Sequence, residues 1–143
     1  HIRSDRRLRA VKPIRTMPYP GFPTDAQSPL MAVMCTAEGT SVFVENIFEN
    51  RYRCASELMR MGADIRIEGR VAVVCGVPKL YGTKVAATEL RGGAALVIAA
   101  LGAEGESEVS GIEHIERGYE KLDVVLKGLG ANIERKTVSV PEE

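Results

Sequence analysis

The sequence contains two copies of one pattern, and this repetition limits the choice of fold more than any other feature. The landmarks recur in the same order: Thr24-Asp25 with Thr88-Glu89, Ala-Glu-Gly at 37–39 with 103–105, an acidic-Arg junction near Arg51 and near Arg117, and Gly-Ala-Asp-Ile at 62–65 with Gly-Ala-Asn-Ile at 130–133. A spacing in the mid-sixties is longer than that of common solenoid repeats. It indicates duplicated supersecondary units packed around shared cores.

The duplication divides the chain into four stretches. We expect a basic lead segment over 1–10, a first βαβαββ repeat over 11–78, a second repeat over 79–137 and a tail over 138–143. A chain of 143 residues fits about one domain with a substantial core. The sequence does not begin with Met, so we interpret it as a piece of a longer protein.

Charge and hydropathy disfavour nucleic-acid and membrane partners. The chain carries 19 basic and 19 acidic residues, so it lacks the net charge that such surfaces attract. No apolar stretch approaches the ~20 residues of a membrane span, and no signal-peptide pattern is present. The basic stretch between Arg3 and Lys12 is the exception. We interpret it as a solvated lead segment, with a functional basic patch as the alternative.

The cysteines and histidines do not form a metal-binding or catalytic pattern. Cys35, Cys54 and Cys75 are widely spaced without a CxxC motif, which fits a reducing compartment. Cys35 and Cys75 lie in apolar runs without a charge to stabilise a thiolate, so we expect both to be buried. His1 and His114 are too few for a zinc cluster. We therefore expect neither a metal nor a cofactor.

In the first copy, residue patterns predict alternating strands and helices. The predicted elements are a strand at 11–18, a helix at 26–37, a strand at 40–47, a helix from Asn50 to Gly62, and strands at 63–68 and 71–77 joined by a hairpin at Gly69-Arg70. Thr24 or Asp25 is expected to cap the first helix. The second helix is expected to bury Cys54, Leu58 and Met61 on one face.

The second copy predicts the same order of elements. These are a strand at 83–87, a helix at 90–102, a strand at 106–112, a helix at 117–128 and a strand at 131–136. The helix from Leu90 is apolar almost all round, so we expect it to be buried on several sides. A buried helix inside a ring of sheets would fit this pattern.

Asp25 and Glu89 occupy equivalent positions, just after a strand and at the start of a helix. A carboxylate there interacts favourably with the helix dipole, so capping alone can explain both acids. The functional alternative is that one of them lies at the edge of a cleft and orients or deprotonates a substrate hydroxyl. Arg91 follows Glu89 by two residues.

Arg51 and Arg117 recur at the predicted start of the second helix of each copy. A guanidinium offers a planar fork of donors that can clamp a carboxylate or a phosphate. The alternative is an exposed salt bridge to a neighbouring glutamate. Ile47-Phe48 precedes the first junction, and Phe48 is either a stacking platform for a ring or a core residue.

Four segments resemble the UDP-N-acetylglucosamine 1-carboxyvinyltransferase family of bacterial enolpyruvyl transferases. They are PYPGFPTDAQ (18–27), FENRY (48–52), ATELRGGAALVIAAL (87–101) and HIERGYEKL (114–122). The resemblance covers about residues 11–136. It implies an inside-out α/β barrel built from βαβαββ repeats with buried helices. The chain matches about two of the three repeats of one domain, so the barrel would be incomplete.

The resemblance also implies roles for particular residues. It implies catalytic roles for Asp25, Glu89, Arg91 and Arg117, and substrate binding by Asp25, Ile47, Phe48, Arg51, Arg91 and Arg117. Asp25 matches the acid that contacts the sugar 3-hydroxyl and acts as its base, and Ile47 matches a residue that binds the UDP-sugar through its main chain. Arg51 matches a cleft arginine, whereas Arg91 and Arg117 match arginines that face phosphoenolpyruvate. Glu89 stands where the family more usually has Asp.

The implied reaction transfers enolpyruvate from phosphoenolpyruvate to the 3-hydroxyl of UDP-N-acetylglucosamine and releases phosphate. It is the first committed step of peptidoglycan synthesis, in the bacterial cytoplasm. The implied partners are the two substrates and the remainder of the same enzyme, whose other domain carries the mobile general-acid loop. We therefore expect no turnover from this chain alone. We also expect self-association through the face that the missing repeat would cover.

Two other classes of function stay open at this point. One is a non-catalytic ligand-binding or interaction module that kept the fold. The other is a different enzyme built from the same repeats, such as the shikimate-pathway enolpyruvyl transferase or an RNA 3′-phosphate cyclase. The balanced charge speaks against the RNA enzyme.

Overall fold

A computed structural model describes residues 1–138, which form six strands, five α-helices and one 3-10 turn. The strands are β1 (Ile14–Arg15), β2 (Thr40–Val44), β3 (Asp64–Glu68), β4 (Val71–Cys75), β5 (Lys84–Ala86) and β6 (Glu108–Ser110). The helices are α1 (Gln27–Met34), α2 (Ala55–Arg60), α3 (Leu90–Gly102), α4 (Ile112–Glu116) and α5 (Leu122–Gly128), and the 3-10 turn is Thr24–Ala26. The tail predicted from 138 onwards lies, apart from its first residue, outside the described residues.

The larger sheet has four strands in the order β1-β2-β4-β3. β1 runs parallel to β2, and the other two pairings are antiparallel. β3 and β4 form the predicted hairpin at Gly69-Arg70, where Gly69 adopts a φ of 57°. Along β2, Ser41 and Phe43 are buried, while Thr40, Val42 and Val44 are less covered. This period of two is the alternation expected of a strand with one face on a core.

The smaller sheet repeats the start of the larger one. β5 runs parallel to β6, and α3 connects them just as α1 connects the parallel strands β1 and β2. A parallel pair needs such a crossover because the chain must return to the starting edge. The two halves of the chain therefore share a β-α-β unit, as the repeated sequence landmarks predicted.

The second half departs from the prediction after β6. Of the helix predicted at 117–128, only α5 forms, because the chain turns at Gly118 and Lys121 adopts a left-handed φ of 45° just before it. A separate short helix, α4, ends at Glu116, before the predicted range. A left-handed residue cannot continue a right-handed helix. The strand predicted at 131–136 does not form. A strand requires a hydrogen-bonding neighbour, and among residues 1–138 the smaller sheet consists of β5 and β6 alone.

Several boundaries in the first half are also shorter than predicted. β1 covers two residues of the predicted strand at 11–18, and α2 begins at Ala55 rather than at Asn50. Asn50 has a left-handed φ of 53°, so the helix starts only after the following turn. The predicted face of α2 is correct, since Cys54, Leu58 and Met61 are all buried.

The main core lies where α1 packs against α3, which is the most extensive contact between helices in the described chain. α3 is buried on several sides, as predicted: four consecutive residues, Ala94 to Val97, are all covered. Ile98 and Leu101 remain partly exposed on the opposite side. At Gly93 an added Cβ would come within 2.6 Å of the Ile115 side chain. Small residues therefore allow α4 to approach α3 closely.

The lead segment is exposed along most of its length, but it is not wholly detached. Arg7 donates hydrogen bonds to the carbonyl of Thr36, at 2.8 Å, and to the carbonyl of Val77, at 2.9 Å. Ala10 N–H also donates to the carbonyl of Glu38. Arg7 thus satisfies carbonyl groups just beyond α1 and β4. Within residues 1–138, no helix has the length and hydropathy needed to cross a membrane.

Candidate functional site

The carboxylate of Asp25 lies between two arginines that come from different halves of the chain. Arg51 Nη2 donates to Oδ1 at 3.0 Å, and Arg91 Nη2 donates to Oδ2 at 3.2 Å. Arg51 stands in the loop between β2 and α2, whereas Arg91 is in the first turn of α3. One carboxylate therefore joins the two sequence copies.

Each arginine is also in contact with an aromatic ring. The Arg51 guanidinium lies 5.0 Å from the centre of the Phe48 ring. The Arg91 guanidinium lies 5.4 Å from the centre of the Tyr119 ring, and its Nη1 donates to the Tyr119 hydroxyl at 2.7 Å. These distances permit cation–π attraction, which limits the directions the guanidinium groups can take. We call Phe48, Arg51, Asp25, Arg91 and Tyr119 the Asp25 cluster.

The Asp25 cluster is open to solvent at its carboxylate and more covered at its arginines. The Asp25 side chain is 57% exposed, compared with 18% for Arg51 and 29% for Arg91. Ion pairs with an exposed partner contribute little to stability because water and salt screen them. An incoming anion or hydroxyl can therefore exchange with these contacts at small cost. The arrangement is suited to binding a polar, negatively charged ligand.

The capping role predicted for Thr24 and Asp25 is wrong. Neither the 3-10 turn nor α1 has a side-chain capping hydrogen bond. The Thr24 hydroxyl instead donates to Glu45, and Asp25 binds the two arginines. Charged partners offer stronger hydrogen bonds than a neutral backbone N–H. Glu89 does occupy the N-cap position of α3, but it likewise makes no side-chain capping hydrogen bond.

Glu89 lies beside the Asp25 cluster, where it influences neighbouring groups through its charge. Its Oε1 is buried and has no hydrogen-bond partner among residues 1–138. A Cβ at Gly92 would come within 2.6 Å of that oxygen, so glycine makes room for the longer acid. The hydrogen bond to Tyr119, followed by the charges of Asp25 and Glu89, raises the pKa of Arg91. Arg91 is therefore a permanent cation.

Two of the cysteines are too strongly protonated to act as nucleophiles. Burial raises the pKa of the Cys35 thiol to about 12. Burial, together with the charge of Glu89, raises the pKa of the Cys54 thiol to about 11, although a hydrogen bond with Ser28 opposes this. Cys75 is only partly buried, so the prediction of burial is correct for Cys35 and incomplete for Cys75. No group of three or more potential metal-ligating side chains occurs in the described part of the chain.

Glu45, a carboxylate that is 1% exposed, was not predicted as a site residue from the sequence. Its Oε1 accepts hydrogen bonds from the Thr16 hydroxyl at 2.9 Å, the Ile47 N–H at 2.9 Å and the Phe48 N–H at 3.1 Å. Its Oε2 accepts from the Thr24 hydroxyl at 2.9 Å. Burial alone would raise the pKa of Glu45, but these four hydrogen bonds outweigh it and the pKa is lowered. The carboxylate is therefore ionised inside the fold.

Arg117 does not join the Asp25 cluster by direct contact. It follows the last residue of α4 rather than beginning a helix, and it is exposed. It forms no ion pair with any residue in 1–138, because the adjacent Glu116 pairs with Arg135 instead. The predicted salt bridge between Arg117 and its neighbour is therefore wrong. Arg117 precedes Tyr119 by two residues.

Two apolar side chains of the loop that carries Arg51 are open to solvent. Ile47 is 38% exposed and Phe48 is 50% exposed, so Phe48 is not a core residue. A cavity of about 670 Å³ lies between this loop and the turn of the β3–β4 hairpin, and Phe48, Arg51 and Arg70 are among the residues that line it. Arg51 thus borders both this cavity and Asp25.

Comparison with known proteins identifies related sequences over most of the chain. The sequence profile of the EPSP synthase (3-phosphoshikimate 1-carboxyvinyltransferase) family matches residues 2–126. UDP-N-acetylglucosamine 1-carboxyvinyltransferase 2 of Caldanaerobacter subterraneus subsp. tengcongensis is 58% identical over 134 residues, which are 94% of this chain and 32% of the relative. UDP-N-acetylglucosamine 1-carboxyvinyltransferase of Desulfofundulus thermocisternus is 60% identical over 122 residues, which are 85% of this chain and 50% of the relative.

A solved structure shares the fold. The enolpyruvyl transferase NikO from Streptomyces tendae superposes with a TM-score of 0.80 at 32% identity, covering 90% of this chain and 30% of that one. The chain thus spans from about a third to a half of the length of these relatives. The predicted fold, an incomplete domain of the enolpyruvyl transferase type, is confirmed. The two sheets of the described residues do not close into a barrel.

We predict that Tyr119→Phe lowers the free energy of unfolding by about 1 kcal/mol. It keeps the ring over Arg91 and removes one hydrogen bond to a charged group, whose contribution water weakens because the bond is only partly buried. Urea denaturation at neutral pH measures the change. Tyr81→Phe is the matched control, because Tyr81 is half exposed and its hydroxyl has no hydrogen-bond partner within residues 1–138. Equal losses in the two variants would contradict the role of the Arg91–Tyr119 contact.

We predict that the stability contributed by Glu45 disappears in acid. Its folded-state pKa lies below the ordinary value of 4.5, so the contribution is present above about pH 4.5 and is lost as the pH falls through the folded-state pKa. The difference in free energy of unfolding between the wild type and Glu45→Gln should therefore be largest near pH 7 and shrink below pH 4.5. Glu106→Gln, at an exposed acid, is the control. A difference that is independent of pH would refute this prediction.

Proposed function

The chain belongs to the EPSP synthase family of carboxyvinyltransferases, and from that membership we propose that it is part of an enolpyruvyl transferase acting on UDP-N-acetylglucosamine. The enzyme moves enolpyruvate from phosphoenolpyruvate to the sugar 3-hydroxyl and releases phosphate. The names of relatives at 58% and 60% identity favour the sugar nucleotide over a shikimate derivative as the acceptor. The reaction would belong to peptidoglycan synthesis in the bacterial cytoplasm.

The observation that carries this proposal is the solvent-exposed Asp25 carboxylate held between Arg51 and Arg91. The proposed reaction brings two anionic groups of phosphoenolpyruvate next to a hydroxyl that must lose its proton. Guanidinium groups bind such anions, and a carboxylate can accept the proton. In the described structure the Asp25 carboxylate accepts a hydrogen bond from each of the two arginines. An anionic substrate that takes over Arg91 would leave the carboxylate with one cationic partner and free to face the hydroxyl.

The other predicted site residues are assigned by position. We propose that Arg117, on the exposed segment next to Tyr119, reaches the second anionic group of phosphoenolpyruvate together with Arg91. We propose that Glu89, beside the start of α3, keeps Arg91 oriented through its charge. Ile47 and Phe48 would contact the sugar nucleotide, since both are accessible and Phe48 belongs to the Asp25 cluster. These assignments give the substrates a binding surface built from both sequence copies.

The chain alone is expected to lack turnover. The chain matches 32% of the length of the Caldanaerobacter relative. The general acid and the closing domain would come from the rest of the enzyme. We propose that residues 11–78 and 79–137 are the two repeats that this piece contributes. Val124, Val125 and Leu129 are 60%, 54% and 79% exposed, which is costly for apolar side chains. This face would contact the remaining repeat or, without it, a second copy.

We predict that the isolated chain releases no phosphate from phosphoenolpyruvate and UDP-N-acetylglucosamine. In the full-length enzyme that contains this chain, Asp25→Asn should lower kcat by 10²- to 10⁴-fold, the range for loss of a general base. A phosphate-release assay measures both. Asp64→Asn is the matched control, because Asp64 is an exposed residue of β3 outside the proposed site. Turnover by the isolated chain, or equal effects of the two substitutions, would contradict the assignment.

A further inference from the structure

We propose that Glu45 is a positioning residue that fixes the Thr24-Asp25 turn and the Ile47–Phe48 backbone in one geometry for the sugar nucleotide. The proposal rests on the function proposed above and deepens it. Glu45 itself touches neither substrate, since its carboxylate is enclosed by the protein. It would act through the residues it holds.

The two carboxylate oxygens of Glu45 are divided between two segments that carry site residues. Oε2 binds the hydroxyl of Thr24, which directly precedes Asp25. Oε1 binds the N–H groups of Ile47 and Phe48, and Arg51 follows three residues later. The two segments are distant in sequence and meet again where Arg51 binds Asp25. Glu45 and the Asp25–Arg51 pair therefore close a loop of contacts, so one segment cannot shift without moving the other.

Stability alone does not explain a buried carboxylate at this position. Removing a carboxylate from water is unfavourable, and an apolar residue of similar volume would avoid that loss. An ionised carboxylate, however, is purely an acceptor and can take about four hydrogen bonds at once. All four partners here are donors: two hydroxyls and two backbone N–H groups. Glutamine has a single acceptor oxygen and would have to donate its N–H₂ to the Thr24 hydroxyl. Its bonds to the two backbone N–H groups would also lose the roughly twofold strengthening that an ionised acceptor gives.

The arrangement also determines what the loop offers to a ligand. Because the N–H groups of Ile47 and Phe48 are taken by Glu45, the backbone there can present carbonyl acceptors rather than N–H donors. A carbonyl acceptor pairs with a hydroxyl or an amide N–H, and a sugar nucleotide carries both. Enzymes lose about 10²-fold in rate when a reacting group is misplaced by about 1 Å. Holding this backbone and Asp25 together should therefore affect turnover more than stability.

The test compares variants of the full-length enzyme that contains this chain. Glu45→Gln should lower kcat/KM for UDP-N-acetylglucosamine at least tenfold and speed amide hydrogen exchange at Ile47 and Phe48 at least tenfold. Thr24→Val should lower kcat/KM without exposing those two amides, because it removes only the Oε2 contact. Thr24→Ser keeps the hydroxyl and should restore kcat/KM. Leu80→Val is the control for stability, since Leu80 is a core residue that is 2% exposed and lies outside the site.

The two readouts separate this proposal from the proposed function. If the wild-type enzyme does not use UDP-N-acetylglucosamine, the proposed function fails, and amide exchange still decides the role of Glu45. Wild-type protection of Ile47 and Phe48 in Glu45→Gln would overturn the positioning role. A kcat/KM that stays at the wild-type value in Glu45→Gln, or falls equally in Leu80→Val, would also overturn it.

Discussion

The packing of α1 against α3 is the constraint on which the rest of the structure depends. Each helix follows the first strand of its own sequence copy, and in this packing the two helices begin close to each other. Asp25 lies just before α1, and Arg91 lies in the first turn of α3. The contact between these residues at 3.2 Å is therefore a consequence of how the core is built. On another side of α3, Gly93 has no room for a Cβ against Ile115, so α4 also packs closely on this helix.

Two carboxylates with different surroundings organise the site built on that core. Glu45 is buried, and four hydrogen bonds keep it ionised. Asp25 is exposed and is held by two guanidinium groups that can also bind a ligand. The buried acid fixes the backbone, while the exposed acid is free to exchange partners. The phenyl and phenol rings of Phe48 and Tyr119 restrain the arginines on either side. The site thus combines a backbone held by buried hydrogen bonds with exposed ion pairs that a ligand can replace.

Local patterns predicted those parts of the fold that local forces determine. The helix predicted at 90–102 forms as Leu90–Gly102, because its run of apolar and small residues is long. The hairpin at Gly69-Arg70 forms because glycine tolerates the left-handed turn. The prediction of a strand at 131–136 was wrong because a strand needs a neighbouring strand to hydrogen-bond with, and residues 1–138 do not supply one. The break at Lys121 was missed because a left-handed lysine has no clear sequence signal.

The candidate site was only partly visible in the sequence. Asp25, Arg51 and Arg91 were singled out by repetition and by resemblance, and the structure brings them into contact. Glu45 and Tyr119 were missed because each has a side-chain partner far away in sequence, Thr16 and Thr24 for Glu45 and Arg91 for Tyr119. An acid at the end of an apolar strand was the one available signal for Glu45.

Arginine side-chain NMR tests most directly whether one carboxylate joins the two halves of the site. We expect Asp25→Asn to shift the guanidinium signals of both Arg51 and Arg91, while the signals of Arg60, which pairs with Glu57, stay in place. A shift of only one of the two arginines, or of neither, would contradict this expectation.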